Sequence, residues 1–189
     1  MATLLLAGTA WSAPEPVKEK PGATSPSGKL QFAFRRTNAS CILYRKTGQA
    51  DWNGLFCEEN ELSADLPKAS TDDRLLVIEA GGSSWGTYLT LLLRQRDGSY
   101  QKVREDLSKR AWAELERNRE ELKGATPLHR YCELVGITTK PLAVVFRMGG
   151  DCWLKKGGGQ QPFTPGYFRF RVEQKTIREI PQPKGWKER

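Results

Sequence analysis

Apolar residues recur along this chain with two different periods, and the switch between them sets out its elements. Leu30, Phe32 and Phe34 alternate with Gln31 and Arg35, the period of a strand with one buried face. Residues 74–80 and 88–93 are apolar runs joined by Gly81-Gly82-Ser83-Ser84-Trp85-Gly86, which reads as a glycine-rich hairpin loop. Asp97-Gly98 supplies the left-handed turn into a further strand at 100–103. Residues 141–146 are continuously apolar and β-branched in the middle, as in a central strand. Residues 167–172 alternate again, which points Phe168, Phe170 and Val172 inward and Tyr167, Arg169 and Arg171 outward. Ile177 and Ile180 continue the sheet after a turn at Gln174-Lys175.

Between these strands the period becomes helical. Leu107, Ala111, Leu115 and Leu122 share one face with Trp112 beside them, while Lys109, Arg110, Glu116, Arg117, Glu120 and Glu121 cover the rest. Asp106 is the expected N-cap and Gly124 the residue past the end, with Pro127 beyond it. The balanced charges suit a solvated helix lying on a sheet, whereas a helix that grips nucleic acid would be lopsidedly basic. Strands, one covering amphipathic helix and then more strands predict an α+β fold built mainly from antiparallel sheet.

The remaining chain divides by composition. Residues 1–12 hold a short uncharged run, Leu4-Leu5-Leu6-Ala7-Gly8-Thr9-Ala10, well below the length of a membrane span. Ala10-Trp11-Ser12 follows and places small residues where a signal peptidase would cut before Ala13, although no basic residue precedes Lys18. Residues 13–28 read as a flexible linker, 29–180 as one globular domain and 181–189 as a polar tail. With 38% hydrophobic and 28% charged residues in 189, the composition is that of a globular chain.

Cysteine usage extends the export argument. Cys41, Cys57, Cys132 and Cys152 make an even number, which in an exported chain reads as two disulfides with three possible connectivities. Cys41–Cys57 and Cys132–Cys152 are the expected pairs, because each closes a short loop. The expected compartment is extracytoplasmic, either periplasmic or secreted. No Cys-x-x-Cys occurs and His129 is the sole histidine, so neither metal nor any other cofactor is expected.

The net charge of +8 favours acidic partners, but the charge is unevenly placed. Residues 51–73 carry seven acidic residues against Lys68 alone, whereas residues 153–189 carry nine basic and three acidic ones. Part of the basic excess can therefore pair within the molecule.

Catalytic patterns find little support. His129 lies three residues before Cys132, but a Cys–His dyad needs a free, partly exposed thiol and Cys132 is expected to be oxidised. Ser83 or Ser84 with His129 and an aspartate would make a triad on paper, yet Gly-x-Ser-x-Gly does not occur. Two binding patterns stand out instead. Trp52 and Trp85 sit beside glycine and polar turn residues, where an indole can stack on a sugar ring; the other reading has both rings closing the ends of the core. Arg169 and Arg171 form an outward row that suits an anionic ligand, or else a plain solvated sheet face.

The sequence thus leads to an exported, non-enzymatic interaction or ligand-binding domain. A glycan or an acidic protein or polymer is the expected partner, nucleic acid is disfavoured, and no membrane span is expected. A secreted hydrolase whose active site the sequence does not reveal is the alternative.

Overall fold

A computed structural model describes residues 22–36, 40–58, 63–82, 86–155 and 159–186. Four strands form a small antiparallel sheet in chain order: β1 (Ala23–Thr24), β2 (Leu30–Arg36), β3 (Ser40–Lys46) and β4 (Asn53–Glu58). Strand β1 falls inside the stretch read as a linker, where Ala23 pairs with Phe32 and Thr24 with Gln31.

The other nine strands form one large sheet. They are β5 (Ser63–Ala64), β6 (Lys68–Ala69), β7 (Leu75–Gly82), β8 (Gly86–Arg94), β9 (Tyr100–Lys102), β10 (Thr126–Thr139), β11 (Leu142–Trp153), β12 (Gln160–Arg171) and β13 (Thr176–Ile180). The main order is β13-β12-β11-β10-β8-β7-β5, with β6 also on β7 and β9 also on β8. All pairings are antiparallel except β8–β10, which runs parallel through Arg130–Gly86 and Tyr131–Thr87. A parallel pair needs a crossover, and the helix α1 (Leu107–Asn118) lies in that connection. Mostly antiparallel sheet with one α-helix among the described residues places the fold in the α+β class.

Helix α1 begins where its sequence signal lies: Asp106 Oδ1 accepts a hydrogen bond from the Lys109 amide at 2.9 Å. It ends at Asn118, earlier than the apolar period implies. Arg119 is extended, and its guanidinium binds Glu179 and the Thr164 carbonyl. Leu122 still reaches the core, through a 3-10 turn at Glu120–Leu122.

Two apolar clusters hold these elements together. The larger unites Leu107, Ala111, Trp112 and Leu115 of α1 with Val77, Leu91, Phe146, Met148, Phe168 and Phe170 on one face of the large sheet. The smaller joins Leu30, Phe32 and Ile42 of the small sheet to Leu76, Ile78, Ala80 and Leu92 on the opposite face of β7 and β8. Strands β7 and β8 are therefore packed on both faces. On β10–β13 the face turned away from α1 is the side that presents Arg169, Arg171 and Arg178, all exposed.

The cysteines divide unequally. Cys41 and Cys57 stand opposite each other on β3 and β4, Cα–Cα 4.1 Å apart, and form a disulfide. Cys132 and Cys152 are both buried free thiols, which corrects the expected second bridge. Register is the reason. Cys132 pairs with Met148, so Cys152 lies four residues farther along β11, about 13 Å at strand rise, whereas a bridge needs Cα atoms within about 7 Å. A disulfide belongs to oxidising surroundings, so Cys41–Cys57 is consistent with a position outside the cytoplasm. Among the described residues, no helix is long and apolar enough to cross a membrane.

Candidate functional site

Strand β10 is clasped between two glycines where it carries the sole histidine. Gly86 of β8 has φ +98, and a Cβ there would lie 2.1 Å from the Arg130 carbonyl oxygen. Gly150 of β11 has φ +144, and its Cβ would lie 2.0 Å from the His129 carbonyl oxygen. Only glycine permits both the left-handed backbone and this approach. A bulge between Pro127 and His129 re-aims the strand at the same place. The result brings His129 opposite Asp151 of β11.

Asp151 is the hub of this cluster. Its Oδ1 accepts from the His129 amide at 3.0 Å and lies 2.8 Å from His129 Nδ1. Its Oδ2 accepts from Gln160 Nε2 at 2.7 Å. Partial desolvation works to raise the Asp151 pKa, but the bonds from Gln160 and His129 outweigh it and hold the carboxyl below its usual value. A carboxylate accepts only, so His129 Nδ1 carries the proton and, in the neutral ring, Nε2 is left as an acceptor.

Aromatic rings flank the cluster on the same face. Tyr131 lies two residues along β10 and stacks beside His129, with ring centroids 6.5 Å apart and planes at 26°. Trp153 lies two residues beyond Asp151 on β11. Tyr131 is 43% and Trp153 53% exposed, the highest values among the large hydrophobic side chains described. Tyr131 stands opposite Gly149, so its attachment is separated from that of Trp153 by four residues of β11, about 13 Å. Two exposed rings with a carboxylate, an imidazole and an amide between them can stack on apolar ring faces while the polar groups take hydroxyl hydrogen bonds.

The face changes character toward β13. Tyr167 meets Trp186 edge-to-face at 5.3 Å, and the Arg147 guanidinium lies 5.9 Å from the same indole. The segment read as a polar tail thus lays an aromatic ring on the sheet. Beyond it lies a groove of about 410 Å³, lined by Val135, Val145, Ile180, Pro181, Pro183 and Arg169.

No family model, curated protein or solved structure matches the chain.

The residues singled out from sequence are scattered. Trp52 is half-buried, with the Arg45 guanidinium 4.4 Å from its ring centroid, so one stacking face is already taken. Its Nε1 is buried without a hydrogen-bond partner among the described residues. Trp85, Ser83 and Ser84 lie outside the described residues. Arg169 and Arg171 share the face described above, where Arg171 also donates to Gln174. The Cys132–His129 dyad does not assemble. Cys132 points into the core on the α1 side, where burial pushes its thiol up to about 12, while His129 is bonded to Asp151 on the other face. Burial and the Asp151 charge also raise the Cys152 thiol. Sequence reasoning missed Tyr131, Asp151, Trp153 and Gln160. One signal was present: Asp151 and Trp153 flank buried Cys152 at strand period.

Proposed function

We propose that the protein is an exported ligand-binding domain, periplasmic or secreted, that holds a glycan on the outer face of β10 and β11. The observation that carries this reading is the pairing of two highly exposed rings, Tyr131 and Trp153, around the Asp151-centred hydrogen-bond cluster. Helix α1 serves as an amphipathic cover on the other side of the sheet and leaves this side for ligand. Arg169, Arg171 and Arg178 farther along favour an acidic polysaccharide, and an acidic protein or polymer is the ligand class kept beside it.

Retention of the full chain on insoluble polysaccharide and peptidoglycan fractions tests the reading. The wild-type protein is expected to be retained, with weak dependence on salt on neutral fractions because stacking involves little charge, and with a part that salt screens on acidic fractions. The Tyr131→Ala/Trp153→Ala variant, altered only at exposed rings, is expected to stay folded and lose retention. Equal retention of that variant would reject the site. Retention abolished by salt would move the ligand to the arginine row and to an acidic partner.

One observation favours a second reading, that of a secreted hydrolase. His129 is oriented through Nδ1 by a carboxylate, as in the base of a nucleophilic triad. Among the described residues no hydroxyl or thiol is hydrogen-bonded to Nε2. Cleavage of the retained polymer that disappears in His129→Ala, and in either Ser83→Ala or Ser84→Ala, would establish this reading over simple binding.

A further inference from the structure

Arginines 169 and 178 stand directly opposite each other on β12 and β13, and both side chains are exposed on the face turned away from α1. Like charges placed opposite each other across strands destabilise the pair. Elsewhere in the molecule cations have found carboxylates: Lys68 pairs with Glu79, Arg119 with Glu179 and Lys175 with Glu105. Neither Arg169 nor Arg178 has an acidic partner among the described residues. Glu179, between Arg178 and Ile180 in sequence, points to the opposite face and is held by Arg119.

Apolar surface adjoins the unpaired cations. Arg169 lines the groove of about 410 Å³ whose walls are Val135, Val145 and Ile180 from the sheet and Pro181 and Pro183 from the C-terminal segment. This volume lies within the range of small-molecule sites, which combine apolar walls with few polar groups. Arg169 lines the groove and Arg178 stands opposite it on the neighbouring strand, so two guanidinium groups can complement an anionic head, since each fork matches carboxylate or phosphate oxygens. The head would remove the Arg–Arg repulsion, and the groove would take an apolar body out of water.

We propose that this groove binds a small anionic amphiphile, with its carboxylate or phosphate head between Arg169 and Arg178 and its aliphatic body against Val135, Val145, Ile180 and the two prolines. The site shares no residue with the Tyr131–Trp153 platform, although Arg169 and Arg178 also favour an acidic glycan in the reading above, and titration with amphiphiles in the absence of glycan tests the groove by itself.

Calorimetric titration of the full chain tests the proposal, with dodecanoate and dodecyl phosphate below their micelle concentrations. Dodecyltrimethylammonium and inorganic phosphate serve as controls for chain and head. Saturable one-to-one binding of at least one anionic amphiphile is expected, and the tighter of the two identifies the head. Arg169→Gln/Arg178→Gln should weaken it about tenfold or more, equivalent to about 1.4 kcal/mol. The same variant should melt no lower than wild type, because a repulsive pair has been removed. Three results would overturn the proposal: equal binding of the cationic amphiphile, inorganic phosphate binding as tightly as dodecyl phosphate, or undiminished affinity in the double variant. Absence of any binding by both anionic amphiphiles would overturn it as well.

Discussion

The two halves of the large sheet are built from the same kind of strand but meet different surroundings. In the β7–β8 half, Leu75, Leu76, Val77 and Ile78 are all buried, because α1 packs on one face and the small sheet on the other. In the β10–β13 half, burial alternates on β12, where Phe168 and Phe170 are inaccessible while Arg169 and Arg171 are exposed. On β11, residues 142–146 are all buried and exposure appears only toward Trp153. A strand packed on both faces has no position free for recognition, so its side chains serve cohesion. A strand packed on one face keeps every second position available, and there Tyr131, His129, Asp151, Trp153, Arg169 and Arg178 are found. Cohesion and candidate chemistry are thus separated by half a sheet, not by a domain boundary.

Substitutions that ignore the separation should show it most clearly. Ile78→Asp places an unpaired carboxylate between β7 and the small sheet, and is expected to cost on the order of 4 kcal/mol or more. Chemical denaturation, or failure to obtain folded protein, reads that effect. Loss of the Cys41–Cys57 bridge should rank next. Its sequence separation of 16 corresponds to about 3 kcal/mol on chain-entropy grounds. Comparing Cys41→Ser/Cys57→Ser with wild type by thermal melting checks this, and an unchanged melting point would show that the bridge adds nothing to the small sheet.

Asp151 gives a smaller effect with a defined sign. Its native pKa is depressed, so its contribution is fully present above the unfolded value near 4 and disappears as pH falls through the lower native value. Asp151→Asn should therefore reduce the loss of stability on acidification below pH 4, in denaturation curves collected across the acid range. An acid limb identical to wild type would show that the His129–Asp151–Gln160 cluster is not formed in solution. The smallest effect belongs to Arg171→Ser, expected within about 0.5 kcal/mol because the side chain is exposed on the open half.

The parts of the fold that sequence predicts are those with an unbroken period. Strands β7, β8 and β12 and the start of α1 follow their apolar patterns because burial on both faces, on alternate residues or on one helical stripe leaves a regular trace. Strand β10 left no such trace. Register shifts between Pro127 and His129 and between Leu134 and Gly136 interrupt its alternation, so Thr126–Thr139 does not scan as one strand. The candidate cluster was hidden for the same reason, since His129 meets Asp151 only when β10 and β11 pair across the first of those shifts. Loop length favoured a Cys132–Cys152 bridge, but strand register decides which residues meet and prevents it. Trp52 looked available from its neighbours in sequence, while Arg45, brought alongside by pairing of β3 with β4, covers it.

The central claim is that ligand binds the face of β10–β13 turned away from α1, against which no second layer packs among the described residues. Hydroxyl-radical footprinting of the full chain, with and without a polysaccharide that retains it, tests this at single side chains. Oxidation of Tyr131 and Trp153 should fall when ligand is bound, while that of Phe34 and Trp52 in the small-sheet region stays unchanged. Protection of Phe34 or Trp52 with Tyr131 and Trp153 still fully reactive would contradict the account and move the binding surface to the small sheet.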